Sequence, residues 1–215
     1  MKFPNESRFY RAARGKLLRA ETELRRKVEQ VAALRRKLPA GGAVPEDYVF
    51  ESESGNVNLS GLFERGDTLV AYSFMYSPKM ARPCPMCSSM LDGLNGNARH
   101  IAERTNLVVI AKSPLPRILE FARARGWSRL RVLSSANNTY NRDYHGEASD
   151  GSQWPIMNVF VRRKGAIRHF WASEMLASKT EPGQDGRHVD TTWPLWNLLD
   201  LTPEGRGKDW RPSLG

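Results

Sequence analysis

Cysteine is scarce in these 215 residues, which contain only two, and no apolar run exceeds the length of a strand. Two cysteines are too few for the multiply bridged framework of a small secreted domain. The longest apolar stretches, 69–75 and 107–111, fall far short of the roughly 20 residues that a bilayer demands. No membrane span is expected. Residues 1–7 turn polar at once and offer no apolar core for a secretory signal, so a cytoplasmic setting is the expectation, with thiols kept reduced unless they are catalytic. Histidine is sparse as well. The four, at 100, 145, 169 and 188, fit no ligand spacing, and without a second CxxC a structural zinc site lacks its ligands. Ser88 follows the second cysteine where covalent haem attachment requires His. Neither a metal nor a cofactor is therefore expected.

Acidic residues are short at one end only. Residues 1–40 hold twelve Lys/Arg against four Asp/Glu, leaving 21 against 19 for the rest of the chain. The basic excess belongs to an N-terminal arm, and the remainder is close to neutral, which weakens any case for a nucleic-acid binder. Residues 7–38 contain no proline and one glycine, Gly15, and good helix formers dominate, so one long helix is predicted. Leu17, Leu24, Val31 and Leu38 recur every seven residues, with Val28 and Leu34 on the same side. Such a stripe suits a helix clamped to its own domain first, a homodimer through the arm second, and a nucleic-acid contact last. The Pro- and Gly-rich run 39–45 reads as a linker, which divides the chain into a basic helical arm, 1–40, and a main domain, 41–215.

Beyond the linker, two short apolar runs at 48–50 and 57–59 flank Ser54-Gly55-Asn56 and predict a hairpin. The continuous apolar run 69–75 predicts a central strand buried on both faces. A helix from about 85 to 104, a strand at 107–111, a helix opened by Ser113-Pro114 and closed by Gly126, and a short strand at 131–133 follow. A second hairpin, 156–161 and 167–171 around Lys164-Gly165, is entered through Trp154-Pro155, and a helix ends the order. Strand–helix alternation followed by a hairpin predicts an α/β fold with a mixed central sheet between helical layers.

The two cysteines form Cys84-Pro85-Met86-Cys87. Random placement would give this spacing about once in a hundred tries, and its position after a buried strand and at a helix start is that of a thioredoxin-like redox motif. Cys84 would cap the helix, with Pro85 at the first helical position, where its missing N–H costs nothing. Free amides of the first turn, that of Cys87 among them, would then face the Cys84 sulfur and favour its thiolate. The helix field alone supplies at most ~2 kcal/mol, or little more than one pKa unit, so hydrogen bonds, and Lys79 or Arg82 in the loop before, are the expected helpers. Cys84 is the expected nucleophile and Cys87, one turn in, the resolving thiol. A thiol or disulfide, on a protein or a small molecule, is the expected partner. The alternative is a redox-silent binding or structural module on the same fold.

With Trp154-Pro155 opening a strand–turn–strand behind this motif, the chain resembles the thioredoxin superfamily, whose three-layer sandwich it would share. The resemblance implies that Pro155 is the cis-proline facing the CxxC, and that Trp154, Pro85 and Met86 contact substrate. Asp47-Tyr48-Val49-Phe50, the Cys84 motif, Asn141-Arg142-Asp143-Tyr144-His145 and the tail 199–206 further resemble a domain-of-unknown-function family whose members are described as predicted dithiol–disulfide oxidoreductases. Two departures stand out. The strand segment Ala71-Tyr72-Ser73-Phe74 lacks the acid that thioredoxin places beneath its second cysteine, and the loop 77–83 is longer. A peroxiredoxin would carry Pro seven and Thr or Ser three residues before the reactive cysteine. Ser77 and Ala81 stand there before Cys84, and Met80 and Cys84 before Cys87. His145 beside Asp143 is a candidate proton shuttle for Cys87, against the alternative that Asn141 and Asp143 only bond a local turn.

Overall fold

The computed structural model describes residues 1–39, 41–176, 178–183, 192–207 and 210–214; His188 lies outside them. The chain forms two units, 1–39 and 40–215. The first is α1 (Arg8–Arg36) with its flanks. Ser7 caps it, its hydroxyl accepting from the Tyr10 amide at 3.0 Å, and Lys37 ends it shortly before Pro39. Leu24, Val28 and Leu34 each keep more than half of their surface exposed.

In the second unit, β1 (Val49–Ser52) and β2 (Gly55–Asn58) form the first hairpin. Ser52 pairs with Gly55, so its turn is Glu53-Ser54, slightly earlier than the sequence suggests. Gly55 takes φ 105°, a conformation closed to side chains, which is why the turn settles against it. Then follow β3 (Thr68–Phe74), α2 (Pro85–Ala102), β4 (Asn106–Ala111), α3 (Leu115–Ala124), β5 (Arg131–Ser134) and a one-turn α4 (Tyr140–Asp143). β6 (Ile156–Arg163), β7 (Ala166–Ala172) and α5 (Pro194–Leu199) complete the order. Lys164 and Gly165, with φ 50° and 80°, make the two-residue turn between β6 and β7 that matches strand twist.

One mixed sheet results, ordered β2-β1-β5-β4-β3-β6-β7. β3, β4 and β5 run parallel through the α2 and α3 crossovers, β6 returns antiparallel along β3, and β7 runs antiparallel along β6. A parallel pair β3–β4 joined by a helix, with an antiparallel hairpin added on the β3 side, is the thioredoxin-like arrangement. Alternation along β3 sorts its side chains. Tyr72 and Phe74 join Met90, Leu91 and Ala98 of α2, Ile118 of α3 and Trp196 of α5 in one core. Leu69 and Ala71 join Tyr48, Phe50, Ile110, Leu133, Tyr140 and Phe160 in the other. The layer over this second core is thin, a 3₁₀ turn at Leu59–Leu62 and α4. Truncating a fully buried member such as Leu91 to Ala would cost about 2–5 kcal/mol.

One boundary differs from expectation for a local reason. Ser113 does not cap α3; Pro114, with extended ψ, stands at the cap and Pro116 occupies the first turn. Gly93, a weak helix former inside α2, makes room for α5, because a Cβ there would lie 2.9 Å from Cγ of Pro194. Among the described residues no helix is long and apolar enough to cross a membrane.

Candidate active site

Chain geometry after β3 brings the two sulfurs together. Leaving the sheet, the chain loops through 75–83 and returns so that the Cys84 amide donates to the Met75 carbonyl at 3.1 Å. Cys84 is the N-cap of α2 with extended backbone, and Pro85 opens the helix. The Cys84 carbonyl accepts from the Ser88 amide and hydroxyl, both at 3.0 Å, which seats the first turn. Both cysteines are free thiols. Cys84 is partly exposed and Cys87 fully buried.

Their acidities diverge. Cys84 is pulled down to about 6, first by a hydrogen bond from the Cys87 thiol and then, against a burial penalty, by the amides of Cys87 and Met86. Those amides point at the sulfur without closing a strict cap bond. Lys79 and Arg82, the helpers suggested by sequence, are not among the groups responsible. Burial pushes Cys87 well up, reinforced by its donation to Cys84 and by the charge there. Two groups act the other way on Cys87, the Tyr72 hydroxyl and the Met75 backbone.

The long loop before the motif is held from α3. The Arg117 guanidinium donates to the carbonyls of Ser77 (3.2 Å), Pro78 (3.3 Å) and Ala81 (3.0 Å), and also to that of Met80. It lies 4.5 Å above the Tyr76 ring. One planar donor fork thus satisfies carbonyls that an excursion of this length would otherwise leave to solvent.

The remaining candidates collect elsewhere. Asp143, His145, Trp154 and Pro155 line a groove of about 660 Å³ with Tyr144, Asn158, His169 and Glu174. The Oδ1 of Asn158, next but one after Ile156 on β6, accepts from His169 Nε2 at 2.9 Å, and burial lowers the pKa of His169. Asp143 accepts from the Tyr48 hydroxyl at 2.9 Å and from Thr139, and its segment is a helical turn, not a loop. His145 takes φ 57°. The groups acting on the Cys87 sulfur do not include His145 or Asp143.

Pro155 precedes Ile156, which pairs with Ser73, so it enters the sheet at the end from which the cysteine loop departs. The Trp154–Pro155 bond is trans, since no described peptide bond is cis, and the cis-proline implied by resemblance is not found there. The Trp154 amide is occupied by the Gly146 carbonyl at 3.0 Å, while nearly half of the Trp154 side chain faces solvent. Among the described residues no three His, Cys, Asp or Glu side chains are grouped to hold a metal ion.

Sequence reasoning missed Tyr72 and Arg117. Strand alternation signals the first, because Tyr72 lies on the parity that faces α2; nothing local signals the second.

Solved structures with a related arrangement include peroxidoxin BcpB from Mycobacterium tuberculosis, at 19% identity over 63% of this chain and 84% of that one, with a TM-score of 0.48. Peroxiredoxin Q from Xanthomonas campestris is similar at 12% identity over 74% of this chain and 96% of its own, also with a TM-score of 0.48. No curated protein matches the chain. The assignment of fold rests on the strand order and on the helix that begins at Cys84. One family model spans residues 2–214, covering arm, cysteine motif, groove and tail together, and the chain belongs to that family, described as "Bacterial protein of unknown function (DUF899)".

Proposed function

We propose that this protein is a thiol–disulfide oxidoreductase in which Cys84 attacks and Cys87 resolves. The observation that carries the reading is the pair of free sulfurs at the start of α2, one partly exposed and acidic, the other buried and donating to it. Thiolate is the reactive form, and with a pKa of about 6 Cys84 is mostly thiolate at neutral pH, where an ordinary cysteine near 8.5 is mostly thiol. The Cys84 thiolate attacks one sulfur of a substrate disulfide; the S–S bond breaks, and the leaving thiolate takes a proton from solvent. Cys87 then loses its proton and attacks the Cys84 sulfur. The second substrate thiolate departs, and the protein keeps the Cys84–Cys87 disulfide. No cofactor takes part.

Pro85 and Met86, beside the nucleophile, would touch the incoming disulfide, and the half-exposed Trp154 ring, next to the sheet end from which the cysteine loop departs, would offer it an apolar contact. The test is alkylation of reduced protein as a function of pH, with equilibration in glutathione buffers. The expected result is a reactivity midpoint near 6 and an intramolecular disulfide. A midpoint in the ordinary thiol range with no disulfide would leave a redox-silent module instead.

A further inference from the structure

The helix α1 presents a surface that the cysteine chemistry does not use. None of its residues is buried, and Phe9, Leu24 and Leu34 keep 86%, 64% and 65% of their surface exposed. At 3.6 residues per turn, Phe9, Tyr10, Leu17, Leu24, Val28 and Leu34 fall on one side and cover about a third of the helix circumference. Lys16 and Lys27 line one margin of that stripe, Arg14 and Arg25 the other, and Arg35 enters it only in the last turn. The helix carries ten Lys/Arg against three Glu, and one of the three, Glu21, pairs with Arg14 at 3.6 Å.

A second copy of the chain fits this face poorly. A coiled coil needs a second apolar row beside Leu17, Leu24 and Val31. Three residues on stand Ala20, Lys27 and Leu34, and four residues on stand Glu21, Val28 and Arg35, so neither register completes a seam. Pairing would also bring two strongly basic helices together. Nucleic acid answers the charge but leaves the apolar stripe in water. An anionic lipid surface answers both. We infer that α1 lies flat in the interface of a membrane bearing anionic headgroups. Its apolar stripe faces the acyl chains, and the Lys and Arg stems at its margins reach back to the phosphates. No described helix is long and apolar enough to cross a bilayer, so the contact is peripheral and reversible, and it tethers the cysteine-bearing domain to that surface. The inference stands apart from the redox reading, since none of these residues belongs to the cysteine site.

The experiment is co-sedimentation of the reduced full-length protein with vesicles, either phosphatidylcholine alone or two parts phosphatidylcholine to one part phosphatidylglycerol. Wild type should pellet with the mixed vesicles and stay in solution with phosphatidylcholine alone, and added salt should release it. Lys16→Gln with Arg25→Gln should weaken binding to the mixed vesicles about tenfold or more. Leu17→Gln with Leu24→Gln leaves the charge untouched and should weaken it by a similar factor. All four side chains are exposed, so the fold is not at stake, and Cys84 alkylation should match wild type in both variants. Absence of wild-type binding to the mixed vesicles overturns the inference. So does full binding by the leucine variant, which would make the contact one of charge alone. A solution dimer that the leucine variant loses, without vesicle binding, gives the face to a second copy and overturns it too. Salt-sensitive binding of single-stranded RNA that the leucine variant keeps, again without vesicle binding, gives the face to nucleic acid and does the same. An unreactive Cys84 in wild type would sink the redox function and leave this result unaffected.

Discussion

The two ends of the first turn of α2 hold the same side chain in opposite conditions. At the cap, Cys84 is partly open and faces the Cys87 thiol and two amides, and its acidity rises until it titrates near 6. One turn further, Cys87 is sealed beneath the helix against β3, and its acidity falls. The difference teaches that the three-residue spacing only makes the sulfurs neighbours. Their division of labour is set by where the helix begins and by which strand lies beneath it.

Breaking the comparison at its open end has the largest expected effect. Cys84→Ser should abolish disulfide reduction, a loss of about a thousandfold or more, whereas Cys87→Ser should keep the first attack and accumulate a mixed disulfide visible by mass. A Cys87→Ser variant that turned over normally would end the assigned roles. The next effect is on redox poise. A thiol whose folded pKa is depressed stabilises the reduced fold above the ordinary thiol range, and this contribution is lost as pH falls through about 6. Oxidation removes the same thiolate. Equilibration with glutathione at neutral pH should therefore give a potential above the roughly −270 mV of a thioredoxin, with the bias shrinking as pH falls from the ordinary thiol range and gone below the Cys84 midpoint.

Smaller still is the effect of loosening the loop that leads to the cap. Arg117→Ala removes the donor shared by four loop carbonyls and should cost about 1–3 kcal/mol in denaturant unfolding, with slower Cys84 attack. Arg117→Lys should recover little, since an ammonium cannot fork. Least of all is expected from the groove on the far core. His145→Ala should leave resolution of a trapped mixed disulfide within about twofold of wild type, because His145 is not among the groups acting on Cys87. A clear slowing would return His145 to the proton path. Separately, sedimentation of the full chain against protein lacking residues 1–40 tests whether the exposed stripe of α1 pairs copies; a mass ratio expected of two monomers would exclude it.

Much of the fold was legible before any coordinates. The apolar run of β3 and the start of α2 at Cys84-Pro85 were both readable, as was the Lys164-Gly165 turn, because each follows from local chemistry: burial on two faces, a proline that fits only the first turn, a glycine at positive φ. The start of α3 shifted by one residue, as boundaries do when two prolines, 114 and 116, compete for the cap. The candidate site was legible in its sulfurs and not in its surroundings. Asp143 and His145 look like an acid–base pair in sequence, but Asp143 is committed to Tyr48 and Thr139.

From the sequence alone it was determined that two thiols stand one helical turn apart at a helix start behind a central strand, since spacing, capping and hydrophobic runs are local. Only the tertiary structure decided that Tyr72 and Cys87 are buried in one core, that Arg117 reaches across from another helix to hold the loop, and that His145 belongs to a different groove. Those are contacts between elements distant in the chain, fixed by sheet register and by which face each helix covers, and no local pattern encodes them.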